Sequence, residues 1–160
     1  MKNFKQGFTI IELLVVVAII GILSSVVLAV LSSAKNKGID AAVKTNLHTI
    51  INQAALFYVD NNNTYLPLGS STAFGIDTCP TYDIAGTNMF SKNKFIADAV
   101  KEATLRGGGN SCYNSASVWA VAVDLKVTAD TSWCIDNTGA NKQTAFTADS
   151  AIDTTTFTCK

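Results

Sequence analysis

The sequence is poor in the residues that mark most catalytic and nucleic-acid-binding proteins. Its 160 residues include one histidine, His48, and no cluster of lysine and arginine. A single imidazole favours a solvated helix residue over a metal ligand or a general base, and the lack of a basic cluster argues against a nucleic-acid site. Gly-x-Ser-x-Gly, P-loop and dinucleotide-binding fingerprints are also missing. We therefore predict a protein that is not an enzyme, with no cofactor, no metal site and no specific nucleic-acid site.

Charge is missing from a long stretch near the N-terminus. No charged residue occurs from Leu13 to Leu31, and only Gly21, Ser24 and Ser25 interrupt an otherwise apolar run. A helix needs roughly 20 apolar residues to cross a bilayer. The run therefore predicts a membrane-spanning helix.

Proline is also missing from this part of the chain, since the first one is Pro67. Beyond Ser33 the uniformly apolar pattern becomes amphipathic, with apolar residues at three- and four-residue spacing. These residues are Ile39, Val43, Leu47, Ile50, Ile51, Ala54, Phe57 and Tyr58. The pattern predicts one continuous helix from Phe8 to Asp60, which ends where Asp60–Asn63 favours a turn and tolerates left-handed backbone.

One acid interrupts the apolar pattern at the start of this helix. Moving a lone charge such as Glu12 towards the bilayer centre costs on the order of 2.5–3.5 kcal/mol, so the carboxylate needs a partner. One candidate is local, because Thr9 and Glu12 have the Thr-x-x-Glu spacing of a capping box. The other candidate is a cation on a neighbouring molecule.

The residues around Glu12 resemble those of a known family. A short segment with Lys2 and Lys5 leads to Gly7, which is followed by Phe-Thr-Ile-Ile-Glu-Leu-Leu. This resembles the N-terminal signature of prepilins, the type IV pilin and pseudopilin family. A Sec signal peptide would have an Ala-x-Ala-like cleavage site after the apolar run, and this sequence has none there. The resemblance implies that a prepilin peptidase cuts between Gly7 and Phe8 and methylates the new Phe8 amine. It also implies that the apolar helix becomes the core of a filament, in which Glu12 meets the Phe8 amine of a neighbour.

The resemblance further implies an α+β fold, the type IV pilin fold. In that fold a long N-terminal α-helix, the stick of a lollipop, packs on a small antiparallel β-sheet. The implied domains are a leader peptide (1–7), a transmembrane and filament-core half of the helix (8–34), an amphipathic half (35–60) and a globular head (61–160). About 125 residues remain beyond the leader and the anchor, which is enough for one compact domain.

The four cysteines all lie beyond the apolar run, and none is part of a Cys-x-x-Cys pair: Cys79, Cys112, Cys134 and Cys159. This argues against a zinc ribbon and favours two disulfides in an exported domain. Free buried thiols are the alternative and would require a reducing compartment. The sequence leaves three connectivities open. The family resemblance favours Cys79–Cys112 with Cys134–Cys159, because the family commonly ties its C-terminal segment back to the sheet.

Two segments rich in β-branched and aromatic residues predict an antiparallel hairpin that packs on the amphipathic half of the helix. These strands are Ser117–Leu125 and Thr131–Asp136. A turn near Thr128 or Ala129 sets Cys134 opposite about Val123, which argues against a direct Cys112–Cys134 bond. A last short strand, held by its cysteine, is expected in the final segment Thr156–Lys160.

A short surface helix is predicted over Ser91–Ala103, with Ser91 as its N-cap and the Gly107–Gly109 run after it. Its apolar residues share one face. They are Phe95, Ile96, Ala99, Val100 and Ala103.

The resemblance implies a structural subunit of a type IV pilus, a surface filament that serves adhesion, motility or DNA uptake. Its partners would be other copies of itself, the prepilin peptidase, the pilus assembly platform, minor pilins and, as a monomer, the membrane. Lys2 and Lys5 favour a cytoplasmic N-terminus and an exported C-terminal domain, although Lys35 and Lys37 weaken the contrast.

Two alternatives to this interpretation stay open. The first is a pseudopilin of a type II secretion or competence system, which would form a short periplasmic pseudopilus. The second is a membrane-tethered binding module that never polymerises. Within any of these, scattered aspartates could assemble a calcium site, although no EF-hand spacing is present.

Overall fold

The computed structural model describes residues 7–160, so the predictions for the leader before Gly7 lie outside the described residues. It confirms the predicted α+β class, with a long N-terminal helix and a small antiparallel sheet. The elements are α1 (Ile10–Asp60), β1 (Phe74–Asp77), α2 (Met89–Lys92), α3 (Lys94–Gly107), β2 (Asn110–Asn114), β3 (Trp119–Asp124), β4 (Ser132–Asp136), β5 (Asn141–Thr144) and α4 (Ala148–Ala151).

Helix α1 is continuous, as the absence of proline predicted. It begins at Ile10 and not at Phe8, because Thr9 closes the helix from outside as an N-cap. It ends at Asp60, and Asn62 and Asn63 then adopt positive φ angles of 57° and 59°. By its internal contacts the chain divides within α1, and Asn36–Lys160 forms one compact body, which we call the C-terminal unit.

The sheet of the C-terminal unit has the strand order β1-β2-β3-β4-β5, and all neighbours are antiparallel. The predicted hairpin is present as β3 and β4. Cys134 lies opposite Ala122, one residue from the predicted Val123. Cys112 packs in the core on one face of the sheet and Cys134 in the core on the other. Each is bonded to a different cysteine, so the prediction that they do not bond to each other is confirmed.

Both faces of the sheet are covered. One face packs on the apolar stripe of α1 and on α3, and this first core contains Val43, Leu47, Ile50, Ala54, Phe57, Ile96, Val100, Ala103, Trp119, Val121, Val123 and Ile135. The other face packs on α4 and the C-terminal segment, and this second core contains Tyr113, Ala120, Ala122, Cys134, Ala148, Ala151, Ile152 and Cys159. The stripe on α1 follows the predicted periodicity.

The predicted surface helix is corrected in two ways. It is split into α2 and α3, and Ser91 is buried inside α2, whereas Asn93 caps α3 by accepting hydrogen bonds from the N–H groups of Phe95 and Ile96. Phe95 is 72% exposed and does not belong to the packed face. The helix ends at Gly107, where the glycine run predicted its end.

Three strands were not predicted, namely β1, β2 and β5. The expected last strand is reduced to a single β-bridge between Ile152 and Cys159. The C-terminal segment therefore closes over the second core without adding a strand to the sheet.

Candidate functional site

The first half of α1 is apolar on every side and exposed. Each large apolar side chain from Phe8 to Leu31 is at least 45% exposed. The helix is long and apolar enough to cross a membrane by length and composition, which are properties that signal sequences near an N-terminus share. An all-round apolar helix is stable in lipid or against other helices, because only those surroundings bury its whole circumference.

Glu12 lies in the first turn of this helix and closes a capping box with Thr9. Its Oε2 atom accepts hydrogen bonds from the Thr9 N–H, at 2.9 Å, and from the Thr9 Oγ1 hydroxyl, at 2.8 Å. In return the Glu12 N–H donates to Thr9 Oγ1 at 3.3 Å. The local partner that the spacing predicted for Glu12 is therefore present in the isolated chain.

The capping box uses only one of the two carboxylate oxygens. Among residues 7–160, Glu12 Oε1 accepts no hydrogen bond, and Phe8, which stands just before the cap, is 81% exposed. A carboxylate can accept about four hydrogen bonds. The site can therefore take a cation from a neighbouring molecule without loss of the cap.

Two disulfides hold the C-terminal unit. Cys79 is bonded to Cys112 and Cys134 to Cys159, which is the pairing that the family resemblance implied. The first bond joins the loop after β1 to β2, and the second joins β4 to the C-terminal segment. No cysteine is left free.

A buried acid that the sequence analysis did not single out organises the C-terminal end. Asp136 is 1% exposed. Its Oδ1 atom accepts from the N–H and hydroxyl of Thr138 and from the N–H of Ala140, and its Oδ2 atom accepts from the N–H of Cys159 at 2.8 Å. The same carboxylate thus fixes the turn after β4 and the cysteine that closes the second disulfide.

A second buried acid joins α1 to the sheet. Asp40 is 6% exposed, and its two oxygens accept the N–H groups of Lys126, at 2.6 Å, and Val127, at 3.1 Å. The sequence did carry a signal for it, because Asp40 lies three residues before Val43 on the apolar stripe. An acid at such a position requires buried hydrogen-bond donors.

The remaining candidate sites gain no support from the geometry. His48 Nδ1 lies 3.0 Å from the Asn141 amide nitrogen, with no second histidine to share a ligand. Within residues 7–160, no group of three histidine, cysteine, aspartate or glutamate residues is placed to hold a metal ion.

Comparisons with known proteins match the N-terminal segment to a family and a longer stretch of the chain to a pilus protein. Residues 2–28 match the family described as the prokaryotic N-terminal methylation motif. The chain is 34% identical over 80 residues to the type IV wide pilus major component PilA4 of Thermus thermophilus, which covers 50% of this chain and 60% of that protein. No solved structure matches the chain.

Proposed function

We propose that the chain belongs to the type IV pilin and pseudopilin family, as its N-terminal motif and its pilus relative support, and that it is a structural subunit of a type IV pilus that polymerises through α1. The observation that carries the proposal is the exposed apolar half of α1 with Glu12 in its first turn. The matched relative is a major component of a wide pilus, and the chain spans 60% of its length.

In the proposed maturation, a prepilin peptidase removes residues 1–7 and methylates the amine of Phe8. Gly7 and Phe8 lie before the helix and Phe8 is exposed, so a peptidase can reach the bond between them without opening α1. The proposed domains are the leader (1–7), the anchor and filament core (8–34), the amphipathic helix (35–60) and the head (61–160). Before assembly the N-terminus lies in the cytoplasm and the head is exported; after assembly the head is extracellular.

In the proposed filament, Glu12 pairs with the cationic Phe8 amine of a neighbouring copy. The free Oε1 atom accepts this amine while Oε2 keeps the capping box. Buried among apolar helices, such a pair is costly to break from one side only, by about 3–5 kcal/mol, because one charge is left without a partner.

Two substitutions of Glu12 separate pairing from capping. Glu12→Gln keeps a Thr-x-x-Gln capping box but has no charge, whereas Glu12→Ala loses both. We expect sheared surface material from native cells to contain long fibres whose subunits begin with methylated Phe8. Both variants are expected to lack these fibres in electron micrographs, with mass spectrometry identifying the subunits.

Glu102→Gln is the matched control, because it removes an exposed carboxylate from α3 whose salt bridge to Arg106 is long, at 4.0 Å. It should assemble normally. Normal fibres from Glu12→Gln would show that charge pairing is not what assembles the subunit. Processed protein retained in the membrane of native cells without fibres would favour the pseudopilin alternative.

A further inference from the structure

A cleft in the C-terminal unit lies between α1, the β3–β4 connection and strand β5. It has a volume of about 300 Å³ and is lined by Lys37, Asp40, Ala41, Lys44, Val127, Thr128 and Gln143. Lys37 and Lys44 are seven residues apart, so they lie on one face of α1, two turns from each other. Ala41 stands between them, and its short side chain leaves the floor of the cleft open.

The cleft carries a net positive charge, because Lys37 and Lys44 line it together with a single acid, Asp40. Among residues 7–160, neither Lys37 nor Lys44 has a carboxylate within 4.0 Å of its ammonium group. The acid of the cleft, Asp40, is already engaged by two backbone N–H groups from the β3–β4 connection. Lys44 Nζ rests 4.4 Å from the centre of the Trp133 ring, which holds the cation beside the cleft.

We propose that Lys37 and Lys44 form a binding site for a phosphate group. Two ammonium groups supply the charge, and the Thr128 hydroxyl and Gln143 amide on the facing wall supply neutral donors. A phosphate oxygen accepts charge-assisted hydrogen bonds from ammonium groups that are roughly twice as strong as neutral ones.

The source of that phosphate is proposed to be an anionic phospholipid headgroup, which rests on the proposed membrane anchoring. Lys37 follows the last residue of the apolar run, Leu31, by six residues, or about 9 Å along a helix. A lysine at this distance from the hydrocarbon is near the headgroups. Headgroup binding would also give a role to Lys37, which lies beyond the span, where a lysine weakens the charge asymmetry that orients the anchor.

The test uses the full chain in nanodiscs of phosphatidylcholine with increasing fractions of phosphatidylglycerol. Trp133 is the reporter, because a phosphate that draws Lys44 from its ring changes the indole emission, whereas Trp119 is buried in the first core. A parallel titration with inorganic phosphate in pure phosphatidylcholine nanodiscs distinguishes free phosphate from lipid.

We expect a saturable change with phosphatidylglycerol that Lys37→Gln weakens about fivefold, the typical contribution of one lysine near an anionic surface. Lys142→Gln is the matched control, since it removes one exposed lysine beside Gln143 from outside the cleft, and it should leave the titration unchanged. A response to inorganic phosphate but none to phosphatidylglycerol supports the site and overturns the lipid source. No response to either, or equal weakening by both variants, overturns the site.

The assay is independent of polymerisation. Loss of fibres in the Glu12 variants would leave the inorganic phosphate titration unaffected. Loss of the phosphate response in Lys37→Gln would likewise leave the Glu12 result standing, so the two proposals fail separately.

Discussion

Buried acids fix the C-terminal unit through backbone N–H groups. Asp136 and Asp40 together accept five backbone N–H donors from segments that are not part of a helix or a continuing strand. A buried donor that loses its acceptor costs about 1–3 kcal/mol. These two carboxylates therefore help to hold in place the segments that connect and follow the strands.

Replacement of Asp136 by asparagine is expected to lower the free energy of unfolding by at least about 2 kcal/mol. The asparagine oxygen can replace one carboxylate oxygen, but its NH₂ group then faces either the Cys159 N–H or the donors of Thr138 and Ala140. Urea unfolding followed by tryptophan fluorescence measures the loss. Asp149→Asn at an exposed position of α4 is the control, and equal stability of the two variants would show that Asp136 is not the organising contact.

Asp153 makes the stability of the C-terminal segment depend on pH. The N–H groups of Thr156 and then of Thr155 lower its pKa below the usual 3.8. Because the folded pKa is the lower one, its stabilisation is present above pH 3.8 and is lost as the pH falls through the folded pKa. We expect the amide NMR signals of both threonines to titrate below pH 3.8 and Asp153→Asn to abolish this titration. A midpoint above that pH would contradict the assignment.

Among single residues, the sequence predicted the roles of those that stand out from a strong local pattern. Glu12 stood out because it is a charge in an apolar run, and the cysteines because their number and place suggest bonds. Asp136 did not stand out, since an acid at a strand end usually lies in solvent. Its contact with Cys159, 23 residues along the chain, is long-range and leaves no signal in the local sequence.

Among the elements, α3 offers a direct test of its corrected start. Asn93→Ala is expected to lower the free energy of unfolding by about 1 kcal/mol, because the Phe95 and Ile96 N–H groups lose their acceptor. Asn93→Asp keeps that acceptor and should retain native stability. Thermal unfolding of the two variants side by side measures this difference. An equal loss of stability in both would mean that the Asn93 cap contributes nothing.

Helix α3 ends at Gly107, where its backbone passes close to the backbone of β3 at Asp124. A Cβ atom on Gly107 would lie 2.1 Å from the Asp124 carbonyl oxygen, so Gly107→Ala must push α3 from β3. We expect a loss of about 1–3 kcal/mol in urea unfolding, the typical cost of overpacking. Gly75→Ala in β1, where nothing lies within 4 Å, is the control and should cost much less. A neutral Gly107→Ala would rule out this contact as the constraint.

Helix α1 and the β3–β4 hairpin were predicted because their residues form a strong pattern or belong to strand-forming types, whereas β2 offers neither signal. Helix α1 shows its apolar stripe over many turns, whereas β2 reads Asn-Ser-Cys-Tyr-Asn and is buried on both faces. A strand covered on both sides shows no alternation, so only its residue types can reveal it, as the β-branched and aromatic residues of β3 did. Phe95 misled the assignment of α3 because an aromatic at the first turn was assumed to face the core.

For the whole molecule, the two disulfides serve the two cores separately. Cys79–Cys112 belongs to the core beneath α1 and α3, and Cys134–Cys159 to the core beneath α4. Their partners are 33 and 25 residues apart. Loops of that size contribute about 3–4 kcal/mol each in the chain-entropy model, which is a large share of the roughly 5–15 kcal/mol typical of a domain.

Removal of either bond is therefore expected to lower the free energy of unfolding by about 3–4 kcal/mol. Paired Cys→Ala variants, Cys79 with Cys112 and Cys134 with Cys159, measure each bond by urea unfolding of the full chain in detergent. Since the bonds lie in different cores, their losses should be nearly additive. Reduction of both disulfides in the native chain should lower the free energy of unfolding by the sum of the two losses. The reduced fold would then be only marginally stable, as expected for a domain that matures in an oxidising compartment. If full reduction left the stability unchanged, the disulfides would no longer indicate that the C-terminal unit is exported.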